Sequence, residues 1–323
     1  MAYSRSPEGL FKLVSASGEI TLGNAAKTLS VPKNMVWDWA CELRSHKLVG
    51  IKTHLLRDFV LTGKYKPAEK QAKVISISNQ KGGVGKTTTA INLASCLAYH
   101  GKKTLLLDID PQSNATSGLG FNKHNVKHST YHALIGEKTL SELITPTRIN
   151  NLDAVPANVD LAGAEVELVP LSSRENKLRY ALYGIKNNYD FIILDCPPAL
   201  GMITVNALAA TDSVLIPVQC DYYALEGIGQ LLGVIELVRK RLNSGLRLEG
   251  ILLTMYEPRV KLSTEIAGEV KNYFGGRVYS TTIPRSVKLS EAASCGKTIM
   301  EYDPNSSAAK AYMRLAYEVV KNV

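Results

Sequence analysis

VISISNQKGGVGKTTTAINLASCLAYHG, residues 74 to 101, decides the fold. A β-branched apolar run, VISIS at 74 to 78, leads into the glycine loop KGGVGKTT at 81 to 88, and a helical run, TAINLASCLAYHG, follows at once. Strand, glycine loop and helix in that order form the setting in which a loop cradles phosphates. Gly82, Gly83 and Gly85 let backbone N–H groups approach phosphate oxygens, and the helix N-terminus adds positive partial charge. Lys86 neutralises the outer phosphates, Thr87 is placed to ligate magnesium, and Val84 and Thr88 complete the stretch around the nucleotide. The pattern departs from the ordinary GxxxxGK[ST] rule, with Gln80 where a glycine would stand and an additional lysine, Lys81, at the start of the loop.

Working outward, apolar runs alternate with helical stretches: TLLLDID at 104 to 110, FIILD at 191 to 195, SVLIPV at 213 to 218 and GILLTM at 250 to 255. Nearly continuous apolar strands separated by helices predict an α/β fold, a doubly wound, mostly parallel sheet covered on both faces. Two of these runs end in carboxylates. DIDPQSNAT places Asp108 and Asp110 at a strand end, where ligand groups belong in an open α/β sheet. FIILDCPP ends in Asp195, has the form of a Walker B segment, and would hold magnesium through water.

Upstream of the quoted stretch the pattern changes. KYKPAEKQAK, residues 64 to 73, is polar, charged and interrupted by Pro67, and reads as a linker between a unit at 1–63 and the nucleotide-binding unit at 74–323. Before it, Leu22, Ala25, Ala26 and Leu29 keep helical spacing, VPKN breaks the run, and Val36, Trp39, Ala40 and Leu43 resume it. Two short extended runs, roughly 48–54 and 58–62, could pair as a hairpin, so the unit reads as a small winged helix. Its second helix would turn Asn34, Trp37, Cys41 and Arg44 outward, a face able to enter a major groove.

The chain has 323 residues and a formal charge of +9. Residues 1–73 hold twelve Lys and Arg against six Asp and Glu, while the remainder is nearly balanced at 26 against 23. A basic segment of this kind suits nucleic acid or another polyanion. Five scattered cysteines without a CxxC pair indicate neither a disulfide framework nor a zinc site. No apolar run reaches the roughly 18 residues of a membrane span, and the first residues carry no cleavable leader pattern, so the expected location is the cytoplasm.

The segments KGGVGKTTTAINLASCLAYHGKKTLLLDIDPQSNATSGLG, DCPPALGMITVNAL, IPVQCDYYALEG and IPRSVKLSEAASCGKTIMEYDPNSSAAKAY resemble the ParA or Soj partitioning ATPases over about residues 74 to 320. The loop KGGVGKTT matches the deviant form of the ParA and MinD class. The resemblance implies an enzyme that hydrolyses ATP with Mg2+, forms a homodimer in ATP, and binds DNA without sequence preference on the nucleoid. It also implies a ParB-type partner that stimulates hydrolysis, and so the positioning of a plasmid or chromosome. By the same resemblance Lys81 reaches across the dimer to the partner's nucleotide, Asp110 orients the attacking water, Asp108 lies in the magnesium shell, and Pro284 lines the adenine pocket. Arg259 and Lys288 match basic residues used for nonspecific DNA contact, joined by nearby Lys261 and Arg277.

Three rival readings differ from this one. A MinD-like membrane ATPase needs a C-terminal amphipathic helix with a basic polar face. Here Tyr312, Leu315, Ala316 and Val319 keep helical spacing with only Arg314 and Lys321 as cations, which suits packing on the sheet. A nitrogenase-reductase-like iron protein wants paired bridging cysteines, which Cys196 beside Asp195 does not provide. An ATP-gated transcriptional regulator acting through residues 1–63 is compatible with partitioning, because the larger plasmid ParA proteins carry an N-terminal helix-turn-helix region and repress their own operon.

Overall fold

The computed structural model describes residues 3–53, 59–63, 71–221 and 224–322. The N-terminal part comprises α1 (Pro7–Ser17), β1 (Glu19–Thr21), α2 (Leu22–Leu29), α3 (Lys33–Ser45), β2 (Val49–Thr53) and β3 (Phe59–Gly63). Hydrophobic spacing alone does not reveal α1, yet its start is written in the sequence. Ser6 accepts from Gly9 N at 3.1 Å, Pro7 stands in the first turn, and Glu8 follows it. Thr21 caps α2 in the same way, accepting from Asn24 N at 3.2 Å. The strands form an antiparallel sheet in the order β1-β3-β2.

Leu22, Ala25, Ala26 and Leu29 of α2 and Val36, Trp39, Ala40 and Leu43 of α3 are buried together with Leu10, Val14 and Leu61. The hairpin tip, 54–58, lies outside the described residues, as does most of the segment read as a linker, 64–70. The last linker position, Lys73, already belongs to a strand, where it pairs in register with Phe191.

The larger part contains β4 (Lys73–Ile77), α4 (Lys86–Tyr99), β5 (Thr104–Asp108), β6 (Thr145–Pro146), β7 (Leu152–Val155), α5 (Lys177–Tyr183), β8 (Phe191–Asp195), α6 (Met202–Ala210), β9 (Ser213–Gln219), α7 (Ala224–Arg241), β10 (Arg247–Thr254), α8 (Lys261–Phe274), α9 (Val287–Ser294) and α10 (Ser307–Lys321). Its sheet runs β10-β9-β4-β8-β5-β7-β6, parallel throughout except for the short edge strand β6.

Alternate strand residues supply two different cores. Val74, Leu105, Leu107, Ile192 and Leu194 face one side, while Ile75, Ile77, Leu106 and Ile193 face the other. Each such side chain contributes about 1.5–3 kcal/mol on full burial, so strands covered on both faces must be apolar at every position. Tyr312, Leu315, Ala316 and Val319 of α10 are buried in the core shared with α4, so the tail's apolar stripe is a packing face. Among the described residues no helix is long and apolar enough to cross a membrane.

The two parts meet at α5. Tyr180 is buried in the N-terminal cluster, and Phe11 stacks on Tyr183 with ring centroids 4.8 Å apart. Lys177 donates to Glu42 at 2.7 Å, and Arg179 donates to Glu8 at 2.9 Å.

Candidate functional site

Register builds the site before any side chain acts. Asp195 ends β8 opposite Ile77, the last residue of β4, and Asp108 ends β5 opposite Asp195. Two carboxylates therefore stand level with each other where β4 turns into the glycine loop. Gly83 and Gly85 have φ of 78° and 88°, a region open to glycine at little cost, and Gly85 directly precedes α4. The loop thus delivers Lys86 to the first turn of the helix.

Neighbouring strands hold the loop at two points, and a third contact lies within the loop itself. Asn79 donates to Pro217 O at 2.7 Å and accepts from Lys81 N at 3.0 Å, which ties the start of the loop to β9. Thr254 of β10 donates to Val84 O at 2.9 Å, fixing the crown. Lys86 Nζ donates to Lys81 O at 2.9 Å and so closes the loop on itself. Burial lowers the Lys86 pKa, while the charges of Asp195, Cys196 and Asp110 oppose that shift. Val84 is buried, Thr87 and Thr88 are half-buried, and Gly82 is exposed.

Asp195 is the most telling group. It is fully buried, and neither carboxylate oxygen has a hydrogen-bond partner among the described residues. Burial raises its pKa well above the usual carboxylate range, and the Asp108 charge adds to the shift. The Thr87 hydroxyl, short of hydrogen-bonding geometry, pulls the other way, as does Lys86. A buried carboxylate left without partners is costly unless a cation is shared with it, so this donor fits a hydrated divalent ion beside Thr87.

Asp108, by contrast, has hydrogen-bond donors within the chain. Its Oδ2 accepts from Thr116 N at 2.8 Å and from the Thr116 hydroxyl at 2.6 Å, and its Oδ1 accepts from Asp110 N at 3.1 Å. Burial nevertheless pushes its pKa up to about 6. These three hydrogen bonds tie Asp108 to the loop that carries Asp110. Asp110 accepts from Gln112 N at 2.9 Å and stays next to the phosphate loop.

Lys81 makes an ion pair with Asp221, which lies just beyond β9. Neither sequence spacing nor motif had singled out Asp221, Asn79, Thr254 or Thr116. Each acts across a long stretch of chain or through the backbone, and only the run IPVQCDYY placed Asp221 near a strand end. Pro284 lines a cavity of about 230 Å³ with Gly85, Thr88, Thr254, Leu289 and Tyr312, a slot adjoining the phosphate loop.

The basic residues fall into two groups. Tyr256 N bonds Ile283 O at 3.0 Å, which sets the Arg259 loop beside the segment leading to Lys288. Arg259 is exposed with no ion-pair partner among the described residues, whereas Lys261 faces Glu265 at 3.6 Å and Lys288 is paired with Asp303. Arg277 does not join them: it precedes Val278, which bridges to Ile251 within β10, whereas the Arg259 loop follows the end of that strand. In the N-terminal part Asn34, Cys41 and Arg44 are exposed on α3. Trp37 is only half-buried, not free: its ring lies on Phe59 of β3 with centroids 4.4 Å apart, because an indole beside a hairpin removes apolar area from water by packing on it.

Comparison with known proteins follows the same division of the chain. A family model described as an AAA domain matches residues 72–248. The sporulation initiation inhibitor protein Soj of Bacillus subtilis is 56% identical over 250 residues, covering 77% of this chain and 99% of that protein. The chromosome partitioning protein ParA of Myxococcus xanthus is 52% identical over 249 residues, covering 77% and 88%. Among solved structures, cobyrinic acid a,c-diamide synthase from Mycobacterium smegmatis with bound ADP and magnesium superposes with a TM-score of 0.70 at 33% identity, covering 78% and 95%.

Proposed function

The chain belongs to the ParA/Soj family of chromosome-partitioning ATPases, and from that premise we propose that it is an ATP-gated dimer that grips DNA and lets go on hydrolysis. The observation that carries the reading is the orphaned Asp195 carboxylate, level with Asp108 and within the field of Lys86 at the mouth of a glycine loop.

In this mechanism Lys86 exchanges its contact with Lys81 O for the outer phosphates of ATP. Thr87 and Asp195 would hold the magnesium ion, Asp195 through water. Bound there, magnesium would supply positive charge to offset the charge of the phosphates. The Asp110 carboxylate orients the attacking water, and Asp108 keeps Asp110 in place through its grip on Thr116 and the Asp110 amide. The adenine ring enters the slot beside Pro284. Lys81 leaves Asp221 and crosses to the nucleotide of a second copy, where a cation in trans is worth roughly 10³–10⁵ in rate in related phosphoryl transfers.

Arg259 makes the first DNA contact in this reading, with Lys288 and Lys261 released from their exposed ion pairs to join it. Such exposed pairs hold only about 0–1 kcal/mol, so phosphate competes readily. Dimerisation doubles every contact and makes a weak patch effective only in ATP. A ParB-type protein is the partner that triggers hydrolysis. Residues 3–53 and 59–63 suit a winged helix whose α3 offers Asn34 and Arg44 to a major groove, with Trp37 braced on Phe59. That face supports a second role as a repressor of its own operon.

The test is DNA retention and particle size in ATP, ADP and no nucleotide, with and without residues 1–63. The reading expects ATP-dependent, sequence-indifferent retention in both forms and specific binding only in the full chain. Retention that ignores nucleotide would overturn it.

A further inference from the structure

Arg179 touches the C-terminal ends of two helices of the larger part and the N-terminal part at once. It is nearly buried. Its Nε donates to Ala209 O at 2.8 Å, and its Nη2 donates to the same carbonyl and to Leu242 O at 2.9 Å. Its Nη1 donates to Glu8 of α1 at 2.9 Å.

Ala209 lies at the C-terminal end of α6, and Leu242 directly follows α7. Both helices follow strands that end on the edge of the sheet carrying the phosphate loop: α6 starts at Met202 after β8 and Asp195, and α7 starts at Ala224 after β9 and Asp221, the residue that holds Lys81. Helices of these lengths, about 14 Å and 27 Å at 1.5 Å per residue, span the distance from that edge of the sheet to the Arg179 guanidinium. A shift at either N-terminal end therefore arrives at the Arg179 guanidinium.

The remaining contacts make the N-terminal part follow. Asn206 of α6 accepts from Leu178 N at 3.2 Å and donates to Arg174 O at 2.7 Å, which locks α6 to α5. Glu42 of α3 and Lys177 of α5 form a buried ion pair, and a buried pair is strongly destabilised when one partner is withdrawn. Phe11 stacked on Tyr183 closes the seam. This surface is made of enclosed charges and rings, so it transmits displacement instead of sliding.

We propose that Arg179 relays nucleotide state from the phosphate site to residues 3–53, so that α1 and α3 are held differently in the ATP-bound and nucleotide-free chain. The proposal rests on the reading that ATP binding rearranges Asp195 and frees Lys81 from Asp221. It makes the face carrying Asn34 and Arg44 responsive to ATP without any contact to the nucleotide, which is coupling between two distinct sites.

The test is amide hydrogen exchange on the full-length chain, with magnesium and a non-hydrolysable ATP analogue or with neither, in the wild type, Glu8→Ala and Arg179→Met. The wild type should change its exchange in α1 and α3 by about fivefold or more, the lower end of ordinary allosteric coupling. Both variants should lose that response while binding the analogue with affinity close to wild type. Glu8→Ala removes the N-terminal arm of the relay along with an exposed pair to Lys12 inside α1, and decides the matter should Arg179→Met fold poorly. A wild type that binds analogue with unaltered exchange would overturn the proposal alone, as would a response that survives in both variants. A wild type that binds no analogue would sink the nucleotide reading and this proposal with it.

Discussion

Replacing Asp221 by Asn should make ATP-dependent dimerisation easier. In the structure Lys81 is tethered within its own chain by the Asp221 carboxylate, and the two side chains are 33% and 29% exposed. Two unit charges at about 4 Å attract by roughly 4 kcal/mol at an effective dielectric of 20, but exposed pairs return only about 0–1 kcal/mol net once desolvation and side-chain entropy are counted. A pair this sheltered belongs near the upper end, about 1 kcal/mol, or a factor of about five in freeing each lysine. A dimer needs two lysines released, so its dissociation constant should fall by about 25-fold if the sites are independent. Sedimentation equilibrium with magnesium and a non-hydrolysable ATP analogue, over a concentration series, measures this directly. Lys81→Ala serves as the control and should not dimerise in either background. An unchanged or weaker dimer for Asp221→Asn would refute the view of Asp221 as a brake.

Lys86→Ala should reduce affinity for labelled ATP at least about 100-fold, the loss of two or more charge-assisted phosphate contacts at roughly 1.5–3 kcal/mol each, read by direct titration. Asp110→Ala should bind ATP and dimerise yet hydrolyse about 10²–10⁴ times more slowly, trapping the DNA-bound form in a retention assay. Arg259→Glu should spare the ATPase while lowering the salt slope of nonspecific DNA binding by about 2 for the dimer, about 0.9 per lost phosphate contact. Burial, with the Lys177 charge adding to it, lowers the His46 pKa from 6.5 to about 4. The unfolded chain therefore binds more protons between those values, and stability should be full above pH 6.5 and fall by up to about 3 kcal/mol as pH drops to 4. Denaturant unfolding across that range should show the loss in the wild type and a flatter curve in His46→Phe.

What could be read from the sequence was the local part of the design. A glycine loop between a strand and a helix is contiguous, and carboxylates at the ends of apolar runs announce themselves, so Lys86, Asp110 and Asp195 were legible. The parallel sheet was legible as well, with strand limits displaced by a residue or so, as at Lys73–Ile77. The edge strand β6 and its neighbour β7 were not, because two and four residues carry no period. The partners that tune the site were hidden for a different reason. Thr254 reaches Val84, and Asp221 reaches Lys81, only because β9 and β10 lie beside β4, and no spacing in the chain encodes that adjacency. Arg179 was equally silent, since its acceptors are two carbonyls and a glutamate from three separate segments.

The account stands most directly on Lys81 acting in a second copy's site. Sedimentation of the wild type, Lys81→Ala and Lys86→Ala in magnesium with a saturating non-hydrolysable ATP analogue tests it. The wild type should run as a dimer, Lys86→Ala as a monomer that binds no analogue, and Lys81→Ala as a monomer that still binds it. A wild type that stays monomeric at saturation, or a Lys81→Ala chain that dimerises as well as the wild type, would contradict the mechanism.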